Sequence, residues 1–301
     1  MAPLLDRRLI FVTGKGGVGK STVAVALGLL AARRGRRTIV AELQSQERVQ
    51  RSFDHVGEHF AEVELAPGLF TISIDPQHAM EEYLRVKTGP LGQALGSSRL
   101  FGAFAMATPG MRELLSIGKV WELAQLERRT RGAAPYDLVV VDAPATGHGV
   151  GILRTPRTFA EIARVGPVAH QAKSIAATIA DRTFTAVVAV ATPEEMPINE
   201  TLSLRSELRL DAIVVNALYP SRFAADEILR VAEAVEVAAS PVERDALRAA
   251  VSEHARAQTQ HAQVERLVEM NGRLIELPFV FAEQLRRPEL ERLADALERQ
   301  L

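Results

Sequence analysis

Apolar residues in this chain gather in short runs, and longer stretches with the three-to-four-residue spacing of helices lie between these runs. The runs are rich in Val, Ile and Leu, as in strands that are buried on both faces. They cover residues 9–12, 38–41, 69–74, 138–141, 186–191, 212–215 and 274–277. Strands that alternate with helices predict an α/β fold, in which a mostly parallel sheet carries helices on both faces. Ligands in such sheets bind at the carboxyl ends of the strands, so the residues after each run are the candidates for chemistry.

The alternation stops between residues 77 and 131, where apolar positions follow helical spacing and Gly and Pro interrupt them. We therefore predict one domain over residues 1–301, with a helical subdomain inserted at approximately 77–131. The Met and Phe residues of this insertion fit either a helical core or an adaptable groove for a client protein. A second helical stretch, residues 223–270, is charged and alanine-rich, and Ser240-Pro241 divides it into two solvated helices.

Composition narrows the possible function classes. The 36 basic and 37 acidic residues give a net charge of −1, so no overall field attracts nucleic acid or an acidic membrane. The chain has no cysteine, which excludes disulfides and thiolate metal sites. The polar segment before the first run does not resemble a signal peptide, and no apolar run is long enough to span a membrane. These features predict a cytoplasmic protein.

A glycine-rich loop directly after the first run carries the most specific motif. Residues 14–21 read Gly-Lys-Gly-Gly-Val-Gly-Lys-Ser, a complete GxxxxGK[ST] phosphate loop between a strand and a helix. Its backbone N–H groups converge on phosphate oxygens, Lys20 reaches the β- and γ-phosphates, and Ser21 ligates Mg²⁺. The expected ATP-binding residues are Gly14, Lys15, Gly16, Gly17, Val18, Gly19, Lys20, Ser21 and Thr22. Lys15 is an additional lysine that directly follows the first glycine of the motif.

An aspartate follows the fourth apolar run. Asp142 opens the segment Asp-Ala-Pro-Ala-Thr-Gly-His at residues 142–148. An apolar strand that ends in aspartate is the Walker B arrangement, in which the carboxylate holds Mg²⁺ directly or through water. Gly147 in the loop that follows is suited to sensing the γ-phosphate. The sequence therefore predicts ATP and Mg²⁺ as cofactors, with Ser21 and Asp142 as the metal ligands.

These two motifs, together with residues 192–200, 214–216 and 277–279, resemble the deviant-Walker P-loop ATPases. The chain is most similar to the branch that contains the arsenite-pump ATPase ArsA and the guided-entry targeting factor for tail-anchored proteins. Within that branch it resembles ArsA-like ATPases of actinobacteria, and the resemblance extends over residues 8–285. It implies that Lys15 crosses a dimer interface to the partner's phosphates. It also assigns Asn216 to the adenine edge, Pro278 and Phe279 to the flank of the base, and Asp142 and Gly147 to switch II.

Three departures from the family pattern change what this resemblance implies. The family's switch I aspartate, which orients or deprotonates the attacking water, corresponds to Gln44 here. A glutamine orients water but cannot be a general base, and Glu42 is the fallback carboxylate on the same strand. The segment at residues 153–185 is shorter than the one that holds clients in the targeting factor, and without cysteine the metalloid and zinc features do not transfer. The candidate catalytic residues are Lys15, Lys20, Gln44 and Glu42, and hydrolysis is expected to be slow.

Three functions remain open at this point. The first is a dimeric ATPase that acts as a nucleotide-gated switch for a protein client. The second is a weakly active or non-catalytic subunit that forms a heterodimer with a related ATPase, as Gln44 suggests. The third is a positioning ATPase of the ParA or MinD type, whose membrane helix is basic, whereas residues 288–301 here include several acidic side chains. A small-molecule kinase is disfavoured because it has no evident use for Lys15.

Overall fold

The predicted strands assemble into one sheet. A computed structural model describes residues 3–43, 48–55, 57, 59–85, 108–130, 132–162, 166–268 and 273–301. In this part of the chain the sheet has eight strands in the order β3-β4-β2-β5-β1-β6-β7-β8. They are β1 Leu9–Thr13, β2 Thr38–Glu42, β3 Val63–Ala66, β4 Leu69–Ser73, β5 Leu138–Asp142, β6 Thr185–Ala191, β7 Ala212–Leu218 and β8 Arg273–Pro278. All neighbours are parallel except β3 and β4, so the predicted α/β class with a mostly parallel sheet is confirmed.

Helices cover both faces of the sheet. In chain order they are α1 Lys20–Arg33, α2 Arg48–Arg51, α3 Met111–Leu123, α4 Thr146–Ile162, α5 Pro167–Ala180, α6 Glu195–Glu207, α7 Ala225–Val237, α8 Pro241–Val268 and α9 Arg287–Glu298. Residues 76–85 are also helical, so the described part of the predicted insertion consists of helix and connecting turns. The rest of that insertion, residues 86–107 and 131, lies outside the described residues.

The sheet divides the core into two layers because alternate residues of each strand point to opposite faces. On one face Ile10 and Val12 pack with α1 and α9, and on the other face Leu9 and Phe11 pack with α3 and α5. Helix α1 lies between the sheet and α9, and its residues from Val23 to Ala31 are buried on every side. This burial fixes the start of α1, and therefore the phosphate loop, against the sheet.

Three further features of the fold can be compared with the prediction from the sequence. Strand β3 was not predicted, because its residues are only partly buried and give no apolar run. The charged stretch after β7 forms two helices that separate at Ser240-Pro241, as predicted. Helix α9 buries its apolar stripe, including Leu290, Leu293 and Leu297, in the core cluster that contains α1. Across the described ranges, every helix is too short or too polar to cross a bilayer.

Candidate functional site

The phosphate loop connects the end of β1 to the start of α1, and two of its glycines have a clear structural reason. Gly14 has a φ of +146°, and a Cβ atom there would lie 2.2 Å from the carbonyl oxygen of Val190. Gly19 has a φ of +89°, and its Cβ would lie 2.2 Å from the side-chain nitrogen of Asn216. Only glycine adopts these conformations without strain and leaves room for these neighbours. The loop therefore packs closely against Val190 of β6 and Asn216 of β7.

Lys20 and Ser21 begin α1, and both point towards the end of β5. The Lys20 Nζ atom donates to the carbonyl oxygen of Lys15 at 2.8 Å, which folds its side chain back over the loop. Burial lowers the pKa of Lys20, and the Asp142 charge acts in the opposite direction. Ser21 Oγ donates a short hydrogen bond of 2.5 Å to Asp142 Oδ2. The structure thus brings together the lysine, hydroxyl and carboxylate that the motifs predicted.

A second carboxylate lies beside Asp142 because β2 and β5 are neighbours in the sheet. Glu42 is directly opposite Asp142 in the strand register and is only 2% exposed. Its Oε1 atom accepts hydrogen bonds from the backbone N–H groups of Arg48 and Val49 at 3.0 and 3.3 Å. Its Oε2 atom is buried and has no hydrogen-bond partner among the described residues. Burial, followed by the neighbouring Asp142 charge, raises the pKa of Glu42 to about 7.

The pKa of Asp142 is also raised. Burial is the main cause, although the hydrogen bond from Ser21 and the charge of Lys20 both favour the ionised form. Two neighbouring carboxylates with raised pKa values attract a cation, because positive charge relieves both the desolvation and the mutual repulsion. Both carboxylates line the cavity beside the phosphate loop.

These groups surround one cavity of about 430 Å³. That volume is in the range of small-molecule sites in proteins. Its walls come from the phosphate loop, α1, α2, the ends of β2 and β5, and the start of α9. The lining residues are Gly16, Gly17, Gly19, Lys20, Ser21, Thr22, Val25, Glu42, Arg48, Val49, Ser52, Asp142, Ala143, Pro144, Ala145, Leu285 and Leu290.

Lys15 points away from this cavity. Its Nζ atom is 3.7 Å from Glu200 Oε2 on α6, and both side chains remain about a third exposed, at 34% and 33%. Glu200 also lines a second cavity of about 380 Å³ between α4 and α6, with Gly147 at its edge. An ion pair this long and this accessible to water contributes little stability. Lys15 is therefore available for another anion.

A more open group of side chains lies at and just beyond the carboxyl ends of β7 and β8. Asn216 donates from Nδ2 to the carbonyl oxygen of Val18 at 2.9 Å, which joins β7 to the phosphate loop. Phe279 donates its backbone N–H to Leu218 at 2.8 Å, and its ring stacks on Tyr219 with centroids 4.5 Å apart. Pro278 is exposed at the end of β8. The apolar run at residues 212–215 predicted that Asn216 follows the strand. Strand β7 continues to Leu218, however, so Asn216 lies within it.

The two predicted switch positions differ in how far the structure defines them. Gln44 lies outside the described residues, as do residues 45–47. The switch II segment begins α4, and a Cβ atom added at Gly147 would have no neighbour within 4 Å. Sequence reasoning missed the contacts of Glu200 and the position of Arg48, because neither residue belongs to a motif with an assigned role. Among the described residues, no cluster of three or more His, Cys, Asp or Glu side chains could hold a metal.

The comparisons with known proteins agree with this geometry. Residues 7–165 match the family model of the anion-transporting ATPase ArsA. The ATPase BagA of Mycobacterium tuberculosis is 33% identical over 258 residues, which cover 81% of this chain and 74% of that protein. An arsenical pump-driving ATPase of Escherichia coli is 25% identical, covering 74% of this chain and 41% of the pump ATPase. An ATPase ASNA1 homolog of Paramecium tetraurelia is 26% identical over 49% of this chain and 43% of its own length.

Proposed function

Because the chain belongs to the ArsA family of ATPases, we propose that it is a dimeric, slowly hydrolysing ATPase that acts as a nucleotide-gated switch for a protein client. The observation that carries this proposal is the convergence of Lys20, Ser21 and Asp142 on one cavity at the end of the phosphate loop. Each of these groups has a partner in a Mg²⁺-triphosphate complex. The weakly paired lysine, Lys15, supports the dimeric part of the proposal.

ATP binding would replace contacts that the loop now makes with itself. The Lys20 ammonium leaves the Lys15 carbonyl and donates to the β- and γ-phosphates, where a charged donor in a partly dry site is strongest. The N–H groups of the glycine-rich loop bind the remaining phosphate oxygens. Asn216 keeps one N–H on Val18 and has a second N–H and a carbonyl oxygen for the adenine edge. Pro278 and Phe279 flank the base.

Ser21 and Asp142 are the residues that would hold Mg²⁺. The fit is good because both present oxygen atoms, which Mg²⁺ prefers, and because the buried Glu42 Oε2 nearby has no partner among the described residues. When bound, the ion would neutralise negative charge on the triphosphate. Glu42 is the fallback carboxylate for activating the attacking water. With Gln44 at the switch I position, turnover by the isolated chain is slow.

The dimer places Lys15 against the phosphates of the partner subunit. Lys15 exchanges the weak contact with Glu200 for a triphosphate, which carries more charge in a less exposed setting. A closed dimer of this kind exists only while nucleotide is bound. Movement of the segment around Gly147 then transmits the nucleotide state to the helices that follow, and through them to the client.

ATP turnover and mass measurements on the purified chain test this proposal. Wild-type protein is expected to hydrolyse ATP slowly, and Lys20→Ala to reduce kcat/KM by at least roughly 10²-fold. Light scattering after gel filtration is expected to show a dimer with Mg²⁺-ATP and a smaller species without it. Lys15→Ala should prevent that change, whereas Lys173→Ala, an exposed lysine on α5, should not. The proposal is wrong if ATP binds but the mass does not change and Lys15→Ala has no effect.

A heterodimer with a related ATPase is the second candidate, and Gln44 favours it. If the isolated chain binds ATP without hydrolysing it, while a related ATPase co-purifies with it and restores turnover, the heterodimer replaces the homodimer. Substitution of Gln44 by Asp is expected to raise turnover if the position is the switch I residue. A membrane-positioning role of the MinD type has less support, because α9 uses its apolar stripe in the core.

A further inference from the structure

One basic residue in the nucleotide cavity has no role in the function described above. Arg48 is the first residue of α2, and its side chain lines the same cavity as Lys20, Ser21 and Asp142. Within the described ranges, no carboxylate lies within ion-pair distance of its guanidinium group, in contrast to Arg33, Arg128 and Arg286. An exposed but unpaired arginine that borders a phosphate site is available to bind an anion.

The backbone that carries Arg48 is firmly attached to the site. The N–H groups of Arg48 and Val49 both donate to the Glu42 carboxylate at the end of β2. Val49 and Gln50 are buried at 1% and 0% exposure, so the short helix is part of the core. The guanidinium group therefore extends from a fixed backbone into the cavity that the phosphate loop of the same subunit lines. This arrangement favours action within the subunit.

The charge of Arg48 already acts on the groups around the cavity. After burial and the Asp142 charge, Arg48 is the next influence on the pKa of Lys20, which it lowers. It also favours the ionised forms of Asp142 and Glu42. Without nucleotide, the positive charge of Arg48 thus partly offsets the negative charges of Asp142 and Glu42. A bound triphosphate would add several further negative charges to this cavity.

We propose that Arg48 binds the γ-phosphate of ATP in its own subunit and stabilises the charge on that group in the transition state of hydrolysis. The inference rests on the proposed ATPase function. In the reaction, the water oxygen bonds to the γ-phosphorus while the bond from phosphorus to the β–γ bridging oxygen breaks. The bridging electron pair leaves with ADP, and the proton of the water goes to the released phosphate. Arg48 donates hydrogen bonds from its planar fork and transfers no proton.

This role explains how the site works with Gln44 in place of a carboxylate. Transfer of a phosphoryl group depends mainly on positioning and on charge stabilisation, and much less on a base. A cationic donor on the γ-phosphate contributes in this way even when water is only oriented by a glutamine amide. Arginine fingers that stabilise the transition state of GTPases contribute factors of about 10³ to 10⁵ in rate. Because Arg48 is solvent-exposed and its charge is therefore screened, we expect a factor of about 10².

The experiment compares ground-state and transition-state binding in the full chain. The variants are Arg48→Ala, Arg48→Lys and Arg48→Gln, with Arg51→Ala as the matched control on the same short helix but outside the cavity. For each, kcat and KM for Mg²⁺-ATP are measured, together with the affinities for Mg²⁺-ADP alone and for Mg²⁺-ADP with aluminium fluoride. Thermal melting verifies the fold, which should be kept because the two N–H contacts to Glu42 belong to the backbone.

Arg48→Ala is expected to lower kcat by about 10²-fold and to change KM by less than about fivefold. Binding of ADP should stay the same, whereas binding of ADP with aluminium fluoride should weaken by a factor similar to the loss in kcat. Arg48→Lys should recover only a small part, since it lacks the planar fork. Added guanidinium ion should partly restore Arg48→Ala but not Lys20→Ala, and Arg51→Ala should resemble wild type.

Two results would overturn this role. One is a kcat within threefold of wild type in both Arg48→Ala and Arg48→Gln. The other is an equal loss of affinity for ADP with and without aluminium fluoride, which would make Arg48 a ground-state or structural residue. Failure of the ATPase proposal is distinguishable, because wild type itself would then fail to hydrolyse ATP while the two affinities still report on Arg48.

Discussion

The two groups of residues proposed to bind nucleotide, a phosphate end in the cavity and a base end at the carboxyl ends of β7 and β8, are built differently. At the phosphate end, Lys20, Ser21, Asp142 and Glu42 are partly or fully buried and linked by hydrogen bonds to one another or to the backbone. At the base end, Pro278 is exposed and the rings around Tyr219 stack on one another near the surface. The phosphate end is therefore ordered before ligand binds, and most catalytic power should depend on it. The base end is proposed to add affinity through contacts that are easier to replace.

After Lys20→Ala, the largest effect is expected from Asp142→Asn at the phosphate end. The amide keeps the shape of the side chain but not the negative charge that is proposed to hold Mg²⁺, so kcat/KM should fall by at least roughly 10²-fold. Calorimetry of ATP binding with Mg²⁺ and with EDTA checks the cause, because only wild type should bind more tightly in Mg²⁺. Asp245→Asn, an exposed substitution on α8, is the control. If the variant keeps a normal response to Mg²⁺, Asp142 is not the metal ligand.

Gly19→Ala tests whether the two ends depend on each other. A Cβ atom there would lie 2.2 Å from the Asn216 side chain and would need a positive φ. We expect ATP affinity to fall about 10- to 100-fold, since both the loop and the contact from Asn216 to Val18 must shift. Gly17→Ala is a matched control, because Gly17 has a φ of +87° but no atom within 4 Å of the added carbon.

A double-mutant cycle separates the clash at Gly19 from the strain. Substitution of Asn216 by Ala removes the group that the new methyl would contact. The double variant should therefore lose less affinity than the sum of the two single losses, by about 1 kcal/mol or more. Strict additivity would contradict a direct contact between the phosphate loop and the adenine-side residue.

Glu42→Gln should change how stability depends on pH. A carboxyl whose folded pKa is about 7, against an ordinary value of 4.5, binds a proton more tightly in the folded state. The contribution of Glu42 to the free energy of unfolding should therefore be greatest below pH 4.5. It should fall as the pH rises through 7. The neutral glutamine keeps the acceptor for the N–H groups of Arg48 and Val49 and removes this loss, which amounts to roughly 3 kcal/mol.

Urea unfolding without nucleotide at pH 5 and pH 8 measures this effect. The difference between the two pH values should be smaller in Glu42→Gln than in wild type. Glu236→Gln, an exposed substitution on α7, should behave as wild type. An unchanged pH dependence in Glu42→Gln would mean that Glu42 does not take up a proton in this range.

The sequence predicted the phosphate-loop residues and Asp142 much better than the residues of other elements that surround them. The motif alone identified Lys20 and Ser21, and the apolar run before Asp142 placed that residue at a strand end. It did not show that Glu42 lies opposite Asp142, because strand order depends on how the crossovers pack and not on any local pattern. For the same reason it gave no sign that Arg48 reaches the cavity. Strand β3 was missed because a partly exposed edge strand lacks the apolar run of a buried one.

The smallest effect is expected at the base end, from Phe279→Ala. The Phe279 ring stacks on Tyr219 at 4.5 Å, and stacking of a base on aromatic side chains contributes about 1–3 kcal/mol in proteins that bind bases in this way. Because Pro278 and Asn216 remain, we expect KM for ATP to rise only about fivefold, with kcat unchanged. Binding of inorganic tripolyphosphate should be unaffected, since it has no base. A loss of tripolyphosphate affinity equal to that of ATP would show that Phe279 supports the phosphate loop itself, and the two ends would then not be separable.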